Sequence, residues 1–231
     1  VVQSMQRVCE PELMGGAEQA AAYAAADFSA GDQAFVERLL ALFPLGAGER
    51  VIDLGCGPGN ISLRLVERMA DVRVLGVDGA AAMLRIAAER IAASPGRWAG
   101  LQLAQALLTS TGLQPPVGDG SFSVIVSNSL LHHLHDAQVL WTAVRQLAAP
   151  GAAVYIKDLR RPASPEAVLA LRDRYLPEAP PVLQHDYVAS LHAAFTAAEV
   201  RQQLADAGLA EHLQVGELED RYLEIWGRLA G

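Results

Sequence analysis

Between positions 53 and 60 the chain reads Asp53-Leu54-Gly55-Cys56-Gly57-Pro58-Gly59-Asn60, an apolar run ending in a carboxylate and passing straight into three alternating glycines. Glycine tolerates positive φ and lets backbone come close to a ligand, while Asn60-Ile61-Ser62 opens a helix whose first N–H groups are free. That junction has the chemistry of a small-molecule cofactor site. A second acid, Asp78, ends the apolar run Val74-Leu75-Gly76-Val77 at 25 residues from Asp53, the separation of one strand-helix-strand unit.

The spacing argues against a dinucleotide. Gly-x-Gly-x-x-Gly needs its third glycine where Asn60 stands, and Gly59 falls one position too early. Asp53 at the strand's carboxyl end would also meet a pyrophosphate as a like charge. S-adenosylmethionine (SAM) carries an ammonium and a sulfonium and no phosphate, so an acid there suits it.

From about Glu49 to Pro162 the chain resembles the class I SAM-dependent methyltransferases of small-molecule type, with the motifs in family order. Val51 to Gly59 is similar to the glycine-rich first motif, and the strand ending in Asp78 to the second. Leu101 to Gln105 is similar to the third strand, with Gln105 where many relatives have an acid facing the adenine amino group; an amide oxygen still accepts there. Gly120 to Asn128 resembles the fourth strand, with Ser123 in place of the usual Asp, followed by the helix-opening Leu130-Leu131-His132-His133-Leu134. Leu147-Ala148-Ala149-Pro150-Gly151-Ala152 and the strand through Asp158 resemble the turn and fifth strand, with Ala152 replacing a glycine. The resemblance implies SAM as cofactor and S-adenosylhomocysteine as product. It places Asp53, Gly55, Cys56, Gly57, Asn60, Asp78, Gly79, Met83, Gln105, Ala106 and Asn128 around the cofactor, with Asp78 holding the ribose hydroxyls.

Composition narrows the classes. With 231 residues, 52% hydrophobic and 19% charged, the chain suits one well-buried α/β domain with additions. No apolar run approaches the ~18 residues of a membrane span, and Val1 to Glu10 lacks a secretory signal pattern. Val1 to Ser4 carry no motif. A net charge of -8 without a basic stripe disfavours nucleic acid as a partner. The two cysteines, Cys9 and Cys56, indicate no disulfide framework and fit a cytoplasmic setting.

The elements that must position these residues follow from periodicity. Strands near 50–54, 72–77, 101–105, 122–127 and 152–158 alternate with helices near 60–70, 80–93 and 137–148. This predicts a doubly wound, Rossmann-like, mostly parallel sheet, which the family completes to seven strands with a reversed pair, here near 213–217 and 221–226. Residues 1–46 read as an N-terminal helical cap, alanine-rich from Glu12 to Phe43, and 47–231 as the cofactor-binding domain. A helical insert at about 163–195 roofs the substrate pocket, Thr196 to Glu199 has capping-box spacing, and Thr109 to Gly120 reads as a long loop.

Candidate acceptor-side residues are ambiguous from sequence. His133 faces the methyl group or substrate, or is a packed helix-start histidine; it is the first candidate for a general base and Asp158 the second. His132, Arg160 and Tyr187 are candidates for contacting the substrate, though Asp158, Arg160 and Arg161 equally suit a solvated loop cluster. Tyr23 closes over the methionine end of the cofactor or is simply packed. His132, His133, His135 and Asp136 do not predict a metal, because adjacent helical histidines point about 100° apart; only His132 with His135 or Asp136 shares a face. The expected activity is methyl transfer to an O, N, S or C nucleophile of a small molecule. A non-catalytic SAM-binding module or scaffold is the alternative. The acceptor, the nucleophilic atom and the oligomeric state have no readable signature.

Overall fold

The computed structural model describes residues 5–230 except 12, 14, 15 and 119; Val1 to Ser4 and Glu12, the start of the alanine-rich part of the expected cap, lie outside the described residues. Two helices, α1 (Ala17–Ala25) and α2 (Ser29–Leu42), precede β1 (Arg50–Leu54), α3 (Asn60–Arg68), β2 (Arg73–Asp78), α4 (Ala81–Ala92) and β3 (Leu101–Gln105). The chain continues through β4 (Leu107–Thr109), β5 (Gly112–Gln114), β6 (Phe122–Asn128), α5 (Gln138–Leu147) and β7 (Ala148–Leu159). Helices α6 (Pro165–Tyr175) and α7 (Pro181–Ala193) then stand before α8 (Ala197–Asp206) and the closing pair β8 (Leu213–Leu218) and β9 (Tyr222–Arg228).

Seven strands form one sheet in the order β3-β2-β1-β6-β7-β9-β8, with β9 antiparallel to both neighbours and the other pairs parallel. Strand order reverses between β1 and β6, and a crevice at the strands' carboxyl ends opens at such a switch point.

Alternation within strands builds two cores. Ile52, Leu54, Ile125, Val154 and Ile156 point to one face, beneath Leu140 and Trp141 of α5 and Val200 and Leu204 of α8. Val51, Val124, Val126 and Tyr155 point to the other, beneath Phe35 and Leu39 of α2 and Ile61 and Leu65 of α3. The same alternation sends Asp53 and Lys157 to the α2–α3 face and Asp158 to the α5 face. The capping box is present, with Thr196 Oγ1 accepting from Glu199 N and Glu199 Oε2 accepting from Thr196 N. Such a cap contributes about 1 kcal/mol.

Two expectations need correction. The long loop from Thr109 is in part a two-stranded hairpin, β4 with β5, whose return Gly112 makes at φ 100°. Leu130 to Leu134 does not open α5: residues Leu131–His133 form a separate 3-10 turn, and Asp136 Oδ1 accepts from Gln138 N at 2.9 Å, starting α5 afresh.

Candidate cofactor and acceptor site

The loop after β1 is held by backbone. Gly55, Gly57 and Gly59 take φ of 73°, 53° and 86°, a region costly to other residues. A Cβ on Gly55 would lie 2.9 Å from Leu130 Cδ1. Asp78 locks the loop from the neighbouring strand: its Oδ2 accepts from Gly57 N and its Oδ1 from Ala80 N, both at 2.8 Å. Asp53 Oδ2 accepts from Ser62 Oγ at 2.6 Å. Burial holds Asp78 above the ordinary carboxylate range and pushes Asp53 up to about 7, so both favour a cation arriving beside them. Arg90 ties α4 to the loop through Pro58 O and Asn60 Oδ1, and to α1 through Ala24 O.

A cavity of about 700 Å³ opens over this loop and extends to the insert helices. All of the cofactor residues expected from sequence line it except Gln105, and Tyr23 lines it as well. Gln105 is exposed and donates its amide to Gly79 O at 3.1 Å, because the strand end turns its side chain outward.

Acceptor-side expectations divide. His132, His133 and Tyr187 line the cavity. Asp158 does not: it is 1% exposed and its two oxygens accept from His132 Nδ1 (2.5 Å), Leu131 N (2.6 Å) and Leu159 N (2.7 Å). Its oxygens are therefore taken up by the 131–133 turn and do not face the cavity. Arg160 also lies away from the cavity, paired with Glu217 and Glu219 O at the β8–β9 hairpin, and Arg161 is buried on Glu199.

The expectation that adjacent histidines stay apart fails here. In the tight turn the His132 and His133 rings sit 4.1 Å apart at 36°, and Glu10 Oε1 lies 3.4 Å from His132 Nε2 and 3.2 Å from His133 Nδ1. Both rings swing toward a carboxylate supplied from outside the helix. An N-terminal strap carries Glu10 there: Arg7 Nη2 donates to His132 O and Leu134 O, and His135 Nε2 meets Glu10 O at 2.7 Å. Burial disfavours the charged His132 ring, yet Asp158 and Glu10 outweigh it and hold the imidazole above its usual range. Burial and the neighbouring His132 push His133 well below its usual range, and its Nδ1 has no hydrogen bond. His133 thus carries a neutral ring whose buried Nδ1 faces Glu10 Oε1.

Sequence reasoning missed Glu10, Lys157, Arg221 and Tyr222, which all line the cavity. Glu10, Arg221 and Tyr222 belong to no motif. Lys157 left one signal, a lone cation ending the apolar run Ala152 to Ile156.

Residues 52–154 match a family described as a methyltransferase domain. The chain is 34% identical over 111 residues to an uncharacterized methyltransferase of Mycobacterium tuberculosis, covering 48% of this chain and 50% of the relative. It is 37% identical over 114 residues to a trans-aconitate 2-methyltransferase of Methylobacterium nodulans, covering 49% and 40%. The chain thus spans half or less of the length of these curated relatives. A solved structure described as a SAM-dependent methyltransferase, from Methanococcus maripaludis, superposes with a TM-score of 0.68 at 17% identity, covering 97% of this chain and 98% of that one. With its glycine loop, two strand-end acids and reversed terminal strand pair on this sheet, the chain has a methyltransferase-like domain over residues 52–154 and the fold seen in SAM-dependent methyltransferase structures.

Proposed function

We propose that the protein methylates a small molecule held in the cavity between the glycine loop and the insert helices. One observation carries this reading: the cavity does not end at the cofactor loop but continues to a polar wall of His132, His133, Tyr187 and Ser190. A pocket closed by apolar insert residues would instead suit a non-catalytic binding module.

The residues present fit SAM. The carboxylate of Asp78 suits ribose hydroxyls, Asp53 suits a cationic ligand, and the positive-φ glycines leave room for close approach. When bound, SAM supplies a methyl group on a positively charged sulfur, a leaving group already activated for in-line displacement. The chain's own task is then alignment and exclusion of water. A base is needed only for a nucleophile that arrives protonated, and His133, a neutral imidazole at the cavity wall, is the first candidate. Asp158 acts through His132, fixing its ring by the bond to Nδ1.

A net charge of -8 supports a small acceptor over nucleic acid. Among the described residues no helix is long and apolar enough to cross a membrane. Two free cysteines suit a reducing, cytoplasmic setting.

Calorimetric titration with SAM and separately with NAD tests the cofactor. Micromolar SAM binding that Asp78→Ala abolishes is expected, and NAD binding in its place would sink the reading. Transfer of a labelled methyl group to a small-molecule library tests the reaction, and full turnover by His133→Ala would remove that residue as the base.

A further inference from the structure

Two cations stand in the acceptor end of the cavity without an anion. Lys157 is 7% exposed, and among the described residues its ammonium makes no hydrogen bond or ion pair. It lies over the face of Tyr222, 4.0 Å from the ring centroid. Arg221 has its guanidinium carbon 3.4 Å from the Tyr175 ring centroid and 4.6 Å from that of Tyr222. Of its five N–H donors, the one hydrogen bond found is Nη1 to Tyr187 Oη, a long 3.5 Å, and Nε is buried with no partner.

Two of the nearby acids are engaged elsewhere. Asp220, next in sequence to Arg221, accepts from Arg174 and the Tyr175 hydroxyl. Glu224, opposite Lys157 in the ladder, holds Arg38 at 2.6 Å and accepts from Tyr155 Oη. Glu219 on the β8–β9 turn, and more weakly Asp32 on α2, pull on Lys157 from beyond ion-pair range. A buried charge without an ion-pair partner is disfavoured, and here buried Lys157 shares one tyrosine ring with a second, half-buried cation in a chain whose net charge is -8.

Contact with one ring puts the two cations within about 9 Å of each other. A single carboxylate bridges that span with a charge-assisted hydrogen bond of about 2.8 Å on either side. We propose that the methyl acceptor carries a carboxylate, clamped between the Lys157 ammonium and the Arg221 guanidinium, with the Tyr187 hydroxyl beside it. The stacked tyrosines hold the guanidinium fork flat, and Lys157 answers from the sheet. This rests on the reading of the cavity as a methyl-acceptor site and specifies the chemical class that it takes.

Acetate is the smallest probe of such a clamp and does not depend on the shape of the acceptor. It is titrated into protein loaded with S-adenosylhomocysteine, with chloride at equal ionic strength as control, in the wild type, Lys157→Met and Arg221→Gln. The expected result is saturable acetate binding by calorimetry, weakened at least tenfold in each variant, with affinity for S-adenosylhomocysteine within threefold of wild type. Lys157→Met should also raise the thermal midpoint of the ligand-free protein, since it removes an uncompensated buried charge, and this keeps the test valid if Arg221→Gln folds poorly. Acetate no better than chloride, or equal binding by Lys157→Met, would overturn the proposal. Inorganic phosphate displacing acetate at a tenth of its concentration would overturn the carboxylate in favour of a phosphorylated acceptor. If the wild type does not bind S-adenosylhomocysteine, the methyltransferase reading fails first and this proposal falls with it.

Discussion

Along β1 and β2 the cavity wall is mostly backbone, positive-φ glycines and helix-end N–H groups locked by one carboxylate 21 residues away from Gly57. Across from it the wall is made of side chains, brought from the N-terminal strap, the 131–133 turn, β7, α7 and the β8–β9 hairpin. A wall of backbone recognises what every member of a fold shares, and it tolerates little change. Side chains gathered from five places can be exchanged one at a time, so the second wall is where specificity is set.

The sharpest way to break this contrast is Gly55→Ala. A methyl at φ 73°, 2.9 Å from Leu130 Cδ1, should displace the loop and weaken SAM by about 100-fold. Affinity within threefold of wild type in calorimetry would mean that the backbone wall is less constrained than argued. Next in size is Asp158→Asn, which leaves the His132 ring short of its charged acceptor. Loss of about 3 kcal/mol of stability in denaturant titration is expected, with turnover reduced and SAM affinity unchanged; a shift in SAM affinity would show that the two walls are coupled.

Asp53 sharpens the contrast through pH. Its folded pKa is raised by burial to about 7, so its contribution to stability is complete at acid pH, below the unfolded value, and is lost as pH rises through about 7. Ligand-free protein should lose on the order of 2 kcal/mol between pH 5 and 8 from this group, and Asp53→Asn should flatten that slope. A cationic ligand lowers the same pKa, so SAM binding near pH 7 should release protons, seen as a buffer-dependent calorimetric heat; equal heats in phosphate and Tris would contradict it. The smallest effect belongs to Gln105→Ala, which should alter SAM affinity less than about twofold because the side chain is exposed on the rim.

The same contrast explains what was legible in the sequence. Apolar runs and glycine punctuation located five strands of the main sheet, the family resemblance supplied the closing pair, and local spacing identified Asp53, Asp78 and the glycine loop, since that wall is contiguous in the chain. Gln105 was misplaced because position at a strand end does not fix which way a side chain turns. Asp158 and Arg160 occupy the expected strand end, but partners remote in sequence, His132 and Glu217, draw them away from the cavity. Glu10 had no signal, because its meeting with His132 and His133 depends on Arg7 finding carbonyls 125 and 127 residues further on.

That strap also sets an order of events during synthesis. Gly57 and Asp78 can meet once a short stretch of chain has emerged, whereas Val8 N bonds His192 O and Arg161 bonds Met5 O only when most of the protein exists. Contacts so distant in sequence form late in folding and open early in local unfolding. The nascent chain would therefore offer a nucleoside pocket before it could tell one acceptor from another, and selectivity would be the last property that the polypeptide acquires.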